Sequence, residues 1–186
     1  MTSGSRKRLL STDELERGAE EISRIVAVGA PPRVAILGGY AMQIYGSDRL
    51  TGDLDVVAQS PITGLRPQRS LTFGGYATAT PSGIPLDVII RDDDYTPLYE
   101  AALETSRRVR GVPLHVVRPE HLAAIKMACG RGKDDLDLLF LLAHMGPKDR
   151  RTARKIAKQF LGPYAANDLD ARVAEADWRR SRGEFG

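Results

Sequence analysis

The hydrophobic positions of the chain fall into two regimes. Leu15, Ala19, Ile22, Ile25 and Val26 recur at helical spacing, and Ser11 followed by Glu14 fits a capping box. This pattern predicts an amphipathic helix over residues 12–28, stopped by Gly29-Ala30-Pro31-Pro32. Short apolar runs then replace the helical period. Val34 to Leu37 reads as a buried strand ending in Gly38-Gly39, followed by a short helix from Tyr40 to Tyr45. Leu54 to Ala58 is a second strand, entered through Asp53. The Pro- and Gly-bearing stretch 59–68 is a loop. Residues 70–80 suggest a strand with a turn at Gly74-Gly75, and Leu86-Asp87-Val88-Ile89-Ile90 gives a third strong strand. Pro97 marks the start of a helix reaching Glu104, and 109–117 reads as extended or hairpin structure.

From Pro119 helical periodicity takes over, in 119–129, 134–145, 148–161 and roughly 166–180. Glycines at 130, 132, 146 and 162 separate these segments. The expected fold class is α+β: a small mixed sheet flanked by helices, with a helical C-terminal third. The expected division is residues 1–118 as a core with its N-terminal helix and 119–186 as a helical region.

Composition narrows the classes. At 186 residues with 42% hydrophobic content, the chain is long enough to bury a core. No window approaches the roughly 18 apolar residues of a membrane span. The basic start at Arg6, Lys7 and Arg8 leads into no secretion-signal core. Cys129 is the only cysteine, so an intrachain disulfide and a Cys-rich zinc site are excluded. A cytoplasmic protein without membrane association is expected. The net charge of +3 is a slight hint of a polyanionic partner.

The chemistry concentrates in Leu37-Gly38-Gly39-Tyr40-Ala41 and Arg49-Leu50-Thr51-Gly52-Asp53-Leu54-Asp55. Residues i and i+2 of a strand share a face, so Asp53 and Asp55 present two carboxylates side by side. Like charges that close repel one another, and a cation removes the penalty. Magnesium, a hard ion, prefers such oxygens and often bridges to substrate phosphates. Asp87, inside an apolar strand, must be paired, exposed at an edge, or used. Three carboxylates suit a pair of metals clamping the attacking and leaving oxygens of an in-line phosphoryl displacement. Gly38-Gly39 between strand and helix lets backbone N–H groups approach phosphate. Taken singly, an Asp-x-Asp is also a solvated strand end, and a glycine pair is also just a turn.

In order and spacing these residues resemble the nucleotidyltransferases of the polymerase β superfamily. That pattern has glycine followed by glycine or serine and, two residues on, alanine; then a short helix, Arg-x-Thr-x-Asp-x-Asp, and a later strand carrying Asp. The resemblance spans about residues 34–90. Gly39 stands where the commoner form has serine, a variant familiar in the bacterial AbiE-type toxin branch. The resemblance implies metal binding by Asp53, Asp55 and Asp87, with two magnesium ions, and triphosphate contact near Gly38 and Gly39. It also implies a phosphate contact by Arg49 and a turn shaped by Thr51 to aim Asp53. Equally, Arg49 could pair with an acidic neighbour.

Lys126, then Arg131-Gly132-Lys133-Asp134-Asp135-Leu136-Asp137, is similar to a Lys…Arg-x-Lys-Asp-x-x-Asp signature of the same branch. It implies that Lys126 balances triphosphate charge, with Arg131 and Asp137 as nucleotide contacts, in a C-terminal region that completes the active site. The competing explanation is two helices with charged ends, where Asp134 and Asp135 favour the helix dipole. His115, His121 and His144 make no ligand pattern. Arg151, Lys155 and Lys158 share one helical face that could track a phosphate backbone, or could simply be solvated. Trp178 among Arg179, Arg180 and Arg182 could add stacking.

The expected activity is transfer of a nucleoside monophosphate from a nucleoside triphosphate to an acceptor hydroxyl, with pyrophosphate leaving. The AbiE-type resemblance implies the toxin of a toxin–antitoxin pair, with RNA or tRNA as acceptor and an antitoxin protein as partner. A small-molecule nucleotidyltransferase of the antibiotic-modifying kind and a catalytically silent nucleotide-binding module stay open.

Overall fold

The computed structural model describes residues 8–28 and 33–185. The stop expected at 29–32, and Arg6 and Lys7, lie outside the described residues. The chain divides into two compact units, one running to Ile90 and including Arg108–Val116, the other Arg91–Arg107 with Val117 onward.

The first unit opens with α1 (Thr12–Val26). The capping box forms as expected: the Glu14 amide donates to Ser11 Oγ at 3.2 Å, and the Ser11 amide donates to the Glu14 carboxylate at 2.9 Å. Leu15, Ala19 and Ile22 bury the apolar stripe. The strands are β1 (Val34–Leu37), β2 (Leu54–Ala58), β3 (Arg69–Ser70), β4 (Tyr76–Ala79), β5 (Pro85–Ile89), β6 (Arg107–Arg108) and β7 (His115–Val116). They form one mixed sheet in the order β3-β4-β5-β2-β1-β7-β6. At its centre β2 lies parallel to β5 and antiparallel to β1. β1 is buried along its whole length, as its uninterrupted apolar run requires.

Between β1 and β2 lies α2 (Gly38–Ile44). It begins two residues before the expected Tyr40. Glycine is unfavourable inside a helix, but the first turn needs no donor from it, and Gly38 adopts φ of +65° that other residues resist.

The second unit contains α3 (Thr96–Glu104), α4 (Pro119–Cys129), α5 (Gly132–His144), α6 (Pro147–Leu161) and α7 (Pro163–Ser181). Helix α4 buries every residue from Glu120 to Lys126, because α3, α5 and α6 all pack on it. Helices α3, α4, α6 and α7 carry proline in their first turn, where its missing N–H costs nothing. That places the start of α7 three residues before the periodicity suggested. Helix α6 is tied to α7 by Arg150, whose two terminal nitrogens donate to Asp177 at 2.9 and 2.7 Å, and by Arg154 on Asp170. The fold is α+β, a mixed sheet with helices and a helical C-terminal part, as the periodicities predicted. Among the described residues no helix is long and apolar enough to cross a membrane.

Candidate active site

The first unit gathers three carboxylates. Asp55 sits on β2 and Asp87 on β5, directly opposite one another in the parallel register. Leu86 and Val88 point into the core, so the strand alternation turns Asp87 to the other face and explains an acidic residue in an apolar run. Asp53 immediately precedes β2 and shares the face of Asp55. One oxygen from each of Asp53, Asp55 and Asp87 lies within 4.8 Å of the others, and all three residues are half-buried.

Gly38 lies on top of this cluster. It follows Leu37, which is paired with Asp55 across β1 and β2. A Cβ built on Gly38 would stand 1.9 Å from Asp55 Oδ2, and the positive φ disfavours any side chain as well. Gly39 is forced by a different neighbour: a Cβ there would lie 2.6 Å from the Cβ of Thr51. Thr51 is buried, and its hydroxyl reaches the Asp53 carboxylate at 3.1 Å and the Asp53 carbonyl at 3.2 Å. The departure from serine at position 39 thus has a local cause. Thr51 occupies the volume a side chain would need, and the same threonine orients Asp53.

Arg49 is half-buried. Its backbone is fixed by Gln43, whose amide donates to the Arg49 carbonyl at 2.9 Å, and by Ser47 Oγ, which accepts from the Arg49 amide at 3.2 Å. Gln43 is a positioning group that the sequence pattern did not single out. Its signal was only its place on the short helix before the Arg-x-Thr segment.

Hard oxygen donors converging within 4.8 Å on a half-buried face suit a divalent cation such as magnesium, whose ligand oxygens sit at roughly 2.0–2.1 Å. Three carboxylates at this separation repel one another, and positive charge placed among them relieves that repulsion. Asp53, Asp55 and Asp87 therefore could hold a metal ion.

In the second unit, Lys126 is 5% exposed. Its ammonium donates to Asp134 Oδ1 at 2.8 Å and to Asp137 Oδ2 at 2.5 Å. Arg131 Nε donates to Asp134 Oδ2 at 2.6 Å. Burial pushes the Asp134 carboxyl up, but hydrogen bonds from Arg131 and Lys126 outweigh it and hold the group below the usual 3.8. Four residues of the Lys…Arg-x-Lys-Asp-x-x-Asp segment are thus brought together, and two carboxylates engage the lysine charge directly. Asp134, which helix-dipole reasoning treated as a generic helix start, is 1% exposed and central to the network. Its i, i+3 spacing from Asp137 on α5 was the signal for a shared target.

Arg151, Lys155 and Lys158 are all exposed on α6. Trp178 is exposed with the Arg182 guanidinium over its ring at 5.0 Å, whereas Arg179 donates to Glu175 and Arg180 to the Ala143 carbonyl. His121 is buried, with Nδ1 3.2 Å from Thr105 Oγ1, and burial lowers its pKa. His144 hydrogen-bonds the Phe140 carbonyl.

The chain is similar along most of its length to the crystal structure of an antigenic nucleotidyltransferase-like protein from Paracoccidioides brasiliensis, at a TM-score of 0.52 and 17% identity, covering 90% of this chain and 95% of that one. The chain has a nucleotidyltransferase-like fold. At that identity the likeness concerns architecture alone. No protein-family model matches the chain, and no curated protein matches it in sequence. Within this nucleotidyltransferase-like fold, the three carboxylates occupy adjacent parallel strands beside the glycine pair that joins β1 to α2.

Proposed function

We propose that the protein is a metal-dependent nucleotidyltransferase, and the observation that carries this is the meeting of Asp53, Asp55 and Asp87 within 4.8 Å beneath Gly38. The reaction is attack of an acceptor hydroxyl on the α-phosphorus of a nucleoside triphosphate. A new P–O bond forms to the acceptor, the bond to the β-phosphate oxygen breaks, and pyrophosphate leaves. When bound, magnesium ions, of which two are proposed, stabilise the charge on the attacking and leaving oxygens. Asp53, Asp55 and Asp87 would hold the cations, and Thr51 keeps Asp53 aimed. Asp87 serves the acceptor side and accepts or relays the hydroxyl proton. Gly38 and Gly39 let the triphosphate approach the backbone, with Arg49 as a phosphate contact.

Lys126, Arg131 and Asp137 are proposed as nucleotide-site residues on the sequence signature. The hydrogen bonds of Lys126 favour an indirect role, in which it holds Asp134 and Asp137 and with them the turn bearing Arg131. Residues 1–118 form the catalytic core in this proposal, and 119–186 complement it.

RNA, tRNA included, is the proposed acceptor. Two of the basic residues of α6, Arg150 and Arg154, are engaged by acids of α7, whereas Lys148, Arg151, Lys155 and Lys158 are exposed and make no ion pair among the described residues. Together with the AbiE-type signature, this supports a cytoplasmic toxin acting with an antitoxin partner. The test incubates the protein with labelled nucleoside triphosphates, magnesium and total RNA, and identifies the labelled species. Labelled RNA, lost on reversing Arg151, Lys155 and Lys158 together to Glu, supports the proposal. Label on a small molecule instead, unaffected by the reversal, moves the activity to the antibiotic-modifying class. No label on any species, with RNA or small molecules, removes the enzymatic proposal.

A further inference from the structure

The first unit holds a cavity that none of the three carboxylates lines. It measures about 450 Å3, within the size range of small-molecule sites. Its walls come from the start of α1, the C-terminal half of α2, the segment 47–50 and the turn before β7. Three features of the lining point to a ligand. Tyr40 is 3% exposed, yet its hydroxyl has no hydrogen-bond partner among the described residues and the residue lines the cavity. Tyr40 is buried as a residue while its hydroxyl stays accessible where the residue lines the cavity, so the group is a donor available to a ligand there. Its proton is secure, because burial and the nearby Glu16 push its pKa up to about 12.

The second feature is charge of both signs. Glu16 and Asp48 line the cavity together with Arg110, and no ion pair joins them among the described residues. Opposite charges around one cavity that do not neutralise each other fit a ligand that itself carries both. The third feature is the apolar remainder, supplied by Ile44, Leu50, Val109 and Val112. Leu50 is a large hydrophobic side chain left 56% exposed, which occupation of the cavity would cover.

We propose that this cavity binds a zwitterionic small molecule of the α-amino acid class with an aliphatic side chain. Arg110 receives the carboxylate, for which its planar fork of donors is suited. Glu16 and Asp48 receive the ammonium. The Tyr40 hydroxyl donates to a carboxylate oxygen, and the four aliphatic residues cover the side chain. The site is separate from the carboxylate triad, and its test does not depend on nucleotidyl transfer.

The experiment is calorimetric titration of the full chain with L-leucine, L-valine, L-isoleucine and L-methionine. L-Leucinamide and N-acetyl-L-leucine each lack one charge and serve as comparisons. At least one of the four should bind, and both leucine derivatives should bind at least tenfold more weakly than leucine. Arg110→Ala, an exposed substitution, should weaken binding at least tenfold with an unchanged melting temperature. Tyr40→Phe should weaken it less, and Asp53→Asn should leave it intact. Absence of binding by all four amino acids overturns the proposal. So does equal binding of the derivatives, or an unchanged affinity in Arg110→Ala.

Discussion

Two acidic clusters stand in this chain, and they are built on opposite plans. In the first unit Asp53, Asp55 and Asp87 bring three like charges together on a half-buried sheet face. In the second, Asp134 and Asp137 are deeply buried but interleaved with Lys126 and Arg131, so that two negative charges meet two positive ones. Burying unbalanced charge is costly, and a folded chain tolerates deep burial only where hydrogen-bonded partners answer it. The hydrogen bonds of the buried cluster tie the turn between α4 and α5. The half-buried cluster gathers three carboxylates within 4.8 Å on a sheet face that could hold a cation.

The sharpest way to break this contrast is to remove the cation of the balanced cluster. Lys126→Ala leaves Asp134 and Asp137 buried without their shared partner. Such a loss should cost about 3–5 kcal/mol of stability, read by denaturant unfolding. A change under about 1 kcal/mol would mean the network is not what holds the turn.

The same network sets a pH dependence. The folded pKa of Asp134 lies below its ordinary 3.8, so the folded state binds fewer protons than the unfolded state in that window. The stabilisation is complete above pH 3.8 and is lost as pH falls through the depressed value. Asp134→Asn should start less stable at neutral pH and lose less on acidification. If parent and variant fall in parallel between pH 5 and 2, the hydrogen bonds to Asp134 are not stabilising.

A smaller effect sharpens the account of the triad's surroundings. Gly39→Ala forces a Cβ to within 2.6 Å of the Thr51 Cβ, both on backbone that cannot easily give way. Overpacking of this kind costs about 1–3 kcal/mol. Because Thr51 also hydrogen-bonds Asp53, cation affinity should fall with stability. Thermal melts with and without magnesium separate the two effects, and unaltered melts in both conditions would show that the glycine is not sterically required.

The two clusters were not equally legible in the sequence. The triad rests on strand alternation, a local rule: Asp53 and Asp55 are two apart, and Asp87 interrupts an apolar run whose register with β2 follows from the sheet. The capping box of α1 was legible for the same reason, all its parts lying within four residues. Lys126, by contrast, meets its partners across a helix–turn–helix, 8 and 11 residues away, and periodicity does not report how such a turn closes. The division of α6 into paired and exposed basic residues was equally hidden, because it depends on where α7 places Asp170 and Asp177. Gly38-Gly39 ends β1 as the apolar run predicts, and it also opens α2, two residues before the expected Tyr40. The steric reasons for both glycines lie in Asp55 and Thr51, more than ten residues further on.

The central claim is that the triad binds a divalent cation through all three carboxylates, and isothermal titration of the protein with magnesium or manganese tests it most directly. The parent should bind, and Asp53→Asn, Asp55→Asn and Asp87→Asn should each lower the affinity at least tenfold, or by about 1.4 kcal/mol. Undiminished cation binding in the Asp87→Asn variant, or no cation binding by the parent, would contradict it.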